Sequence, residues 1–310
     1  MPRFDVTIAG ELNLDLILYG VPDELPPERE LLADGMSLTL GGSSSIVAHN
    51  LASLGSRVGF ISCIGKDQLG EIALTRLAES GVNVEKVQRA DSGVSTGITV
   101  ILQRDKWRNM VTYSGTIAAL LFEDLDFGYL SDSRHFHLSS FYLQLGLLPR
   151  IMELFKYLKA AGLTVSLDTN DDPENQWEHG LWQALEYVDV FLPNESEAKR
   201  ITGASTGNEA LAKLAKVVPV VAMKLGAKGA VAQRGNERVE APGYPVELVD
   251  AVGAGDSFDA GFINQFVKGA DLKSCLKGGN SAGALSTTRA GGTEAFRDRT
   301  HRESFLKDCK

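Results

Sequence analysis

The chain has 310 residues, 44% of them apolar, and no apolar run reaches the roughly 18 residues of a membrane-spanning helix. Its 31 basic and 40 acidic residues give a net charge of −9, which is unfavourable for binding nucleic acid. The three cysteines form no CxxC pair and no metal-ligand spacing, and their odd number argues against a secreted disulfide framework. The N-terminal residues are typical of a strand and not of a signal peptide. We therefore expect a cytoplasmic protein with neither a nucleic-acid nor a membrane partner.

Strand-like and helix-like segments alternate along most of the chain. Residues 4–10 are predicted to form a strand, and residues 43–55 carry apolar side chains at helical spacing before a glycine stop. The alternation continues into the C-terminal half. Further strands are predicted at 58–65, 136–140, 163–168, 188–193, 218–226 and 245–250, and further helices at 67–81, 147–162, 177–187 and 195–203.

This βαβα order, with strands that are apolar on both faces, predicts a parallel sheet covered by helices on each side. Two stretches depart from it, at residues 12–40 and 94–114. They have strand composition and turns but no helix between them, so we expect them to form a small antiparallel flap on the main body. The chain shows no internal repeat and no low-complexity linker, which indicates a single domain over residues 1–310.

One glycine-rich loop follows the predicted strand that ends at Asp250. Gly253, Ala254, Gly255 and Asp256 come next, just before an apolar helical pattern. Glycines allow backbone N–H groups to converge at a helix start, which makes a phosphate cradle. Asp256 would repel a resting anion there, but it suits a carboxylate that accepts a proton from an attacking hydroxyl while the amides stabilise the migrating phosphoryl group. An ordinary N-cap aspartate after a flexible turn is the alternative interpretation.

Other phosphate-binding motifs are absent from the sequence. It contains no P-loop, no dinucleotide-binding GxGxxG after a strand, and no protein-kinase HRD or DFG set.

Several motifs, taken in order, resemble those of the ribokinase-like (PfkB) carbohydrate kinases. DAVGAGDSFDAGF resembles the C-terminal signature of that family, and GGSSSIVAHNLASLG resembles its N-terminal diglycine signature. The segments GELNLD, PNESE, KLGAKGA and GNSAGALSTTRAGG are similar to further motifs of the family, so the resemblance covers nearly the whole chain.

The resemblance implies a Rossmann-like three-layer α/β/α fold with a small β-sheet lid that closes over the sugar. The two helix-free stretches fall where that lid would be. It also implies an ATP-dependent phosphotransferase that acts on a hydroxyl of a sugar or polyol, with Mg²⁺ as cofactor and K⁺ as a further candidate. A homodimer through the lid is an implied partnership.

The resemblance also assigns site residues. Asp256 is the expected general base, and the backbone of Gly253, Ala254 and Gly255 is the expected anion hole. The residues expected to bind the sugar are Asn13, Asp15, Gly41 and Gly42. Those expected to line the nucleotide are Asn194, Glu197, Lys224, Gly226, Gly229 and Asn280. Two residues are expected to bind metal ions. Glu197 would hold Mg²⁺ through water, and Asp250 would belong to a monovalent-cation site.

The acceptor is expected to be unphosphorylated. Asp15 follows Asn13 by two residues, so both side chains point to the same face of an extended strand. A carboxylate beside an amide suits neighbouring neutral hydroxyls, and it repels a phosphate. A phosphate could still lie at the far end of the acceptor, against the basic cluster of Arg104, Lys106 and Arg108.

Two positions depart from the family pattern. The sixth residue of the diglycine signature is often Asn in the family, and here it is Ile46, which argues against a simple ribokinase. The segment LDTNDDP lies where several sugar-acid kinases carry D-x-N-x-R, and Asp172 replaces the arginine that a substrate carboxylate would meet. Asp168 and Asn170 of that segment are either polar groups of the site or a strand-end turn.

Two other functional classes stay open. A nucleoside kinase of the same superfamily would need aromatic residues in the lid, where Trp107 and Tyr113 are the candidates. A non-catalytic sugar-binding protein of the same fold would be expected to lose the base or the GAGD glycines. His135 and His137, which alternate along a strand without a third metal ligand in register, are expected to be structural.

Overall fold

The computed structural model describes residues 1–91, 93–104 and 108–309. The strands are β1 Val6–Ala9, β2 Asn13–Tyr19, β3 Gly35–Gly41, β4 Val58–Ile64, β5 Asn83–Arg89, β6 Ile98–Gln103, β7 Arg108–Tyr113, β8 His135–Leu138, β9 Thr164–Leu167, β10 Val190–Phe191, β11 Val220–Lys224, β12 Ala230–Arg234 and β13 Glu237–Ala241. The α-helices are α1 Ser43–Ser53, α2 Gln68–Glu79, α3 Phe127–Ser131, α4 Ile151–Ala160, α5 Leu181–Leu185, α6 Glu195–Thr202, α7 Gly207–Leu214, α8 Ala254–Phe266, α9 Leu272–Ser286, α10 Glu294–Arg297 and α11 Arg299–Asp308.

Nine strands form the large sheet, in the order β13-β12-β11-β10-β9-β8-β1-β4-β5. The strands from β11 to β5 pair in parallel, as the alternation predicts. The expectation of a wholly parallel sheet is wrong at one edge, where β12 and β13 pair antiparallel. The predicted strand at 245–250 is also wrong, because those residues form no strand and lie outside both sheets.

Helices cover both faces of the large sheet and create two apolar cores. Successive side chains of β1 point to opposite faces, so Ile8 lies in one core and Ala9 in the other. Leu154 of α4 packs in the core that contains Ala9, and Phe262 of α8 packs in the core that contains Ile8. This three-layer arrangement, with the small second sheet described next, confirms the expected fold class.

The small sheet has four strands in the order β3-β2-β6-β7. They fall in the two stretches without helical patterning, at 12–40 and 94–114, with β3 ending one residue later. The expectation of an antiparallel flap is confirmed for the β2–β3 and β6–β7 pairs and is wrong for β2 and β6, which pair in parallel. Only residues 10–12 separate β1 of the large sheet from β2, so the small sheet grows directly out of the body. Burial falls across it, from the buried first half of β2 to β7, which is exposed along its whole length.

None of the helices in the described residues combines the length and the apolar character needed to cross a lipid bilayer.

The carboxyl ends of the parallel strands meet at one edge of the large sheet. Polar residues follow several of these strands, namely Glu11 after β1, Ser140 after β8, Asn170 after β9 and Asn194 after β10. Because ligands of open α/β sheets bind outside this edge, it is where the site residues are to be sought.

Candidate active site

The GAGD loop forms the start of α8. Gly253 precedes the helix with a φ of 70°, and a Cβ added there would lie 2.5 Å from the Cα of Gly292. Both the positive φ and this close approach require glycine. The N–H groups of Gly255 and Asp256 have no hydrogen-bond acceptor in the described part of the chain. They are therefore available to bind an anion at the positive end of the helix.

Asp256 is the third residue of α8, and Gly253 is the N-cap, so the interpretation of Asp256 as an ordinary N-cap is wrong. Its side chain is only 7% exposed. One carboxylate oxygen accepts a hydrogen bond of 3.4 Å from Asn170 Nδ2, and the nearby Ser43 side chain also lowers the pKa of Asp256. Burial, with the nearby charge of Asp168, raises the pKa of Asp256 to about 6. The group is therefore mostly ionised at neutral pH.

Lys224, the last residue of β11, is buried between two aspartates. Its Nζ lies 2.7 Å from Asp168 Oδ2 and 3.2 and 3.3 Å from the two oxygens of Asp259. Carboxylate oxygens of Asp168, Asp256 and Asp259 all lie within 4.8 Å of one another. The same Nζ is 3.6 Å from the position of a Cβ on Gly255. A buried cation therefore borders the turn formed by Gly253 to Asp256.

The charges of this cluster are strongly coupled. Burial alone would lower the pKa of Lys224, but Asp168 and Asp259 raise it, so the lysine stays positively charged. Burial and the neighbouring Asp168 raise the pKa of Asp259 well above its usual value. Burial would also raise the pKa of Asp168, but the Lys224 charge at 2.7 Å holds it below its usual value.

Asn194 and Glu197 form a capping box at the start of α6. The Asn194 side chain accepts from the Glu197 N–H at 3.0 Å, and Glu197 Oε2 accepts from the Asn194 N–H at 2.8 Å. The pair is not an exposed helix start, because Glu197 is only 9% exposed. Burial, and next the Asp168 charge, raise the pKa of Glu197 to about 7. The capping geometry thus holds a buried carboxylate beside the cluster around Lys224.

The predicted sugar residues meet where β2 and β3 pair. Asn13 lies opposite Gly41 in this pairing, and both Asn13 and Asp15 are buried. A Cβ on Gly41 would collide with the Asp15 carboxylate, and a Cβ on Gly42 would collide with Asn13 Oδ1. The two glycines therefore leave room for these polar side chains.

Asp15 faces other acids. Burial raises its pKa to about 7, and the charges of Asp256 and Asp250 add to the rise, while Arg108 opposes it. The structure thus brings the predicted sugar residues and the predicted base into electrostatic contact.

The predicted nucleotide residues lie after β11 and on α9. Gly226 has a φ of 61°, with open space around the position of a Cβ. Gly229 has a φ of 99°, and a Cβ there would collide with the carbonyl oxygen of Ala241. Asn280 Nδ2 donates to the carbonyls of Ala241 and Pro242 at 2.9 and 3.0 Å. Gly229 and Asn280 therefore hold the end of β13, whereas Gly226 presents bare backbone.

Asp250 joins two loops at the edge of the site. Its carboxylate accepts from the N–H groups of Val252 and Gly291, both at 2.9 Å, and from the Tyr19 hydroxyl at 3.1 Å. These contacts tie the loop before α8 to the loop after α9, and they tie both to β2.

Two residues of this region were not found from the sequence. Asp259 lies one helical turn after Asp256, and that spacing was the available signal. Glu11 is 3% exposed, and its carboxylate accepts hydrogen bonds from Ser44, Ser140 and Gln144. No motif in the sequence distinguishes Glu11 from an ordinary strand-end acid.

The two departures from the family pattern have structural roles. Ile46 is 2% exposed, and its Cδ1 packs 2.8 Å from the position of a Cβ on Gly292 and 3.3 Å from that on Gly253. Asp172 accepts from the backbone N–H groups of Glu174, Gln176 and Trp177, so it closes a turn.

His135 and His137 are buried in the large sheet, as expected for structural residues. His135 bonds the hydroxyls of Thr164 and Ser166, and His137 bonds those of Ser166 and Ser139. Every ring nitrogen thus has a hydroxyl partner. Elsewhere, Tyr113 on β7 is 54% exposed, and the predictions for Lys106 and Trp107 lie outside the described residues.

Known proteins are similar to this chain in sequence and in fold. The chain is 31% identical over 287 residues to the 2-dehydro-3-deoxygluconokinase of Bacillus subtilis, with 86% of each chain covered. It is 27% identical over 313 residues to the ribokinase of Haemophilus influenzae, covering 98% of this chain and 99% of the relative.

The fold matches that of a putative ribokinase II from E. coli solved in complex with ATP and Mg²⁺, with a TM-score of 0.85 at 27% identity over 98% of this chain and 99% of the other. Residues 3–299 match the family described as pfkB family carbohydrate kinase. The chain therefore belongs to the PfkB family of carbohydrate kinases, and it is a sugar kinase that uses ATP.

Proposed function

We propose that this kinase phosphorylates a hydroxyl of an unphosphorylated sugar or polyol, with Asp256 as the general base. The observation that carries the proposal is the position of Asp256. This buried carboxylate has a pKa of about 6 and lies in the same helical turn as free N–H groups and beside the Lys224 cation.

The reaction then follows from these groups. Asp256 accepts the proton of the acceptor hydroxyl while the oxygen of that hydroxyl bonds to the γ-phosphorus of ATP. The bond from that phosphorus to the bridging oxygen breaks, and ADP leaves. The N–H groups of Gly255 and Asp256 stabilise the charge on the transferred group, and so does Lys224. A base with a pKa near 6 suffices, because phosphoryl transfer depends more on positioning and charge than on base strength.

Glu197 and Asn194 fit a role near Mg²⁺. A buried carboxylate with oxygens held by a capping box is a hard, oriented ligand of the kind that binds Mg²⁺ through water. The bound ion would neutralise phosphate charge. Asn194 fixes the orientation of Glu197, and Mg²⁺ would favour its ionised form, which burial alone disfavours.

Gly226 supports the proposed nucleotide side. Its open surroundings let a ligand approach the backbone just after β11, two residues beyond Lys224. Gly229 and Asn280 would support the site without touching the nucleotide, by fixing the chain at the end of β13.

Two aspartates, Asp15 and Asp172, favour a neutral sugar or polyol as the acceptor. Asp15 faces the base with Asn13 beside it, and Asn13 Oδ1 is a buried acceptor atom without a partner among the described residues. Both suit hydroxyl donors. The Asp172 carboxylate accepts backbone hydrogen bonds within a turn, and as an acid it cannot pair with a substrate carboxylate. This argues against the sugar acid named in the B. subtilis relative as the preferred acceptor.

A coupled assay of ADP release tests the proposal. The panel contains sugars, polyols, sugar acids, sugar phosphates and nucleosides at equal concentrations, and Asp256→Asn serves as the control for contaminating activity. We expect the highest kcat/KM on an unphosphorylated sugar or polyol.

Other outcomes would reject specific parts. The highest activity on a sugar phosphate or sugar acid would contradict the acceptor assignment. The highest activity on a nucleoside would make the chain a nucleoside kinase. Sugar binding without turnover by any panel compound would contradict both the acceptor class and the role of Asp256.

K⁺ is proposed as a second cation, near Asp250 and the loop at 290–292. Asp250 links the two loops whose backbone approaches the start of α8, and carbonyl oxygens of such loops are suitable K⁺ ligands. The cytoplasmic location expected from the sequence would supply the ion. Turnover in KCl should exceed turnover in an equal concentration of choline chloride, and equal rates would reject this site.

A homodimer through the small sheet is also proposed, with that sheet as the lid. Its edge strand β7 is fully exposed and carries Met110, Val111 and Tyr113, each more than half exposed. An exposed, apolar edge strand favours pairing with a second copy. Sedimentation should show a dimer that Val111→Lys weakens, and a monomer at all concentrations would reject the proposal.

A further inference from the structure

Three buried carboxylates share one cation beside the anion-binding turn. Asp259 is 0% exposed, Asp168 1% and Asp256 7%. Among the described residues, Lys224 supplies the one cation in contact with this group. If all were ionised, the cluster would carry two uncompensated negative charges. Buried groups change their protonation state rather than hold such a charge.

We propose that Asp259 holds a proton at neutral pH and donates it in a hydrogen bond to Asp168, which makes Asp168, Lys224 and Asp259 an electrically neutral unit. Oxygens of the Asp168 and Asp259 carboxyl groups lie within 4.8 Å of each other, and both groups contact Lys224 Nζ. Two buried carboxyl groups this close disfavour each other's ionisation, so they share one proton.

The distances indicate which of the two is ionised. Lys224 Nζ contacts Asp168 at 2.7 Å and Asp259 at 3.2 and 3.3 Å. The shorter contact is typical of a charge-assisted pair. The proton therefore lies on Asp259, the less exposed carboxyl.

The neutral unit matters for the base. It removes one negative charge that would otherwise face Asp256 and hold a proton on it. Asp256 then stays ionised at neutral pH and can accept the proton of the acceptor hydroxyl. Asp259 is thus a positioning residue, and its effect on the reaction rests on the proposed role of Asp256.

The other titratable groups around the cluster add no second cation. His137 faces Asp168, but burial lowers its pKa to about 3, so it is neutral. The remaining neighbours are acids, namely Glu197 near Asp168 and Asp15 near Asp256. Asn170 and Ser43 contact Asp256 without charge.

Infrared difference spectroscopy of the free enzyme tests the protonated acid directly. The spectrum of Asp259→Asn is subtracted from that of the unmodified enzyme at about pH 8.5, where groups with a pKa of about 7 are almost fully ionised. We expect a band of a protonated carboxyl group that the variant lacks. No such band would overturn the proposal. This readout involves no substrate, so it stands even if Asp256 is not the base.

The pH dependence of kcat/KM tests the consequence. Asp259→Asn replaces a neutral acid by a neutral amide of the same shape. The acid limb, meaning the fall of kcat/KM on the acidic side of the profile, should therefore stay within about 0.3 pH unit of its position in the unmodified enzyme, and kcat should fall no more than about tenfold. The double variant Asp168→Asn with Asp259→Asn leaves Lys224 uncompensated, so its acid limb should move down by about one pH unit.

A downward shift of half a unit or more in Asp259→Asn alone would mean that Asp259 is ionised, and would overturn the proposal. Loss of the base role would look different, because Asp256→Asn would then retain near-normal turnover while the infrared band persisted.

Discussion

The two sides of the active site differ in how complete they are without ligands. On the proposed phosphoryl-transfer side, Lys224 is held by Asp168 and Asp259, and Asp256 accepts a hydrogen bond from Asn170. On the proposed acceptor side, Asn13 Oδ1 is buried without a partner, and no hydrogen bond reaches the Asp15 carboxylate in the described part of the chain.

This difference indicates a division of labour. Groups that are already oriented need no reorganisation during reaction, and such preorganisation lowers the barrier of the chemical step. Buried polar groups without partners gain them when the right substrate binds, and they penalise a substrate that lacks the matching hydroxyl. The first side should therefore govern kcat, and the second side should govern KM and specificity.

The largest effect is expected for Asp256→Asn. The amide keeps the shape of the side chain but cannot accept the proton, so kcat should fall by about 10² to 10⁴. ATP affinity, measured by calorimetry, should change little, because the backbone N–H groups remain. Near-normal turnover would show that Asp256 is not the general base, and the proposed difference between the two sides would then fail.

Asp15→Ala should change KM for the sugar rather than kcat. It leaves substrate hydroxyls unpaired in a buried site, so KM for the sugar should rise by about 10² while kcat changes much less. Asp15→Asn, which keeps a hydrogen-bonding side chain, is the matched control and should cost less. Steady-state kinetics of both variants decide the point. A fall in kcat with an unchanged KM would erase the division proposed above.

Gly226→Val sharpens the comparison within the phosphoryl-transfer side. A side chain at this bare backbone position should weaken ATP binding by about tenfold and leave sugar binding nearly unaffected. Because Gly226 has a φ of 61°, valine also strains the chain. Gly203→Val is the matched control, since Gly203 has a φ of 63° in open space at the end of α6. Equal ATP affinity in the two variants would place the nucleotide elsewhere.

The smallest effect is expected for Asn170→Ala. The Asn170 side chain donates to Asp256 and lowers its pKa, so its loss should raise that pKa slightly. Activity should then disappear at a slightly higher pH on the acid side, and kcat at neutral pH should fall about threefold to tenfold. An acid limb that moves in the opposite direction would mean that Asn170 does not bond the ionised base.

Much of the fold could be predicted, because periodicity records which faces of an element are buried. Strands β1, β4 and β8 to β11 and helices α2, α4 and α6 lie where their apolar spacing indicates, and the two stretches without helical patterning supply the small sheet. The edge strand β5 was not predicted. The antiparallel edge of β12 and β13 was missed. Its outer strand β13 is largely exposed and rich in charged residues, so it lacks the apolar pattern of a body strand.

The site was predictable where a local motif carries it, and not where distant residues meet. Gly253 to Asp256 are consecutive, and so their convergence at a helix start could be read from the sequence. The ion pairs of Lys224 join Asp168 on one strand end with Asp259 on a helix, 35 residues or more apart in the chain. Such contacts depend on the packing of the whole body, which no single segment encodes.

The histidines buried in the body have a consequence for acid tolerance. Burial lowers the pKa of His49 to about 4 and of His135 and His137 to about 3, from about 6.5 in an unfolded chain. Folding therefore favours their neutral forms, and this contribution to stability is complete above about pH 6.5 and is lost as the pH falls toward the folded-state values. The burial that keeps these rings neutral thus makes the interior sensitive to acidification, and thermal melts should show Tm declining steadily below about pH 6.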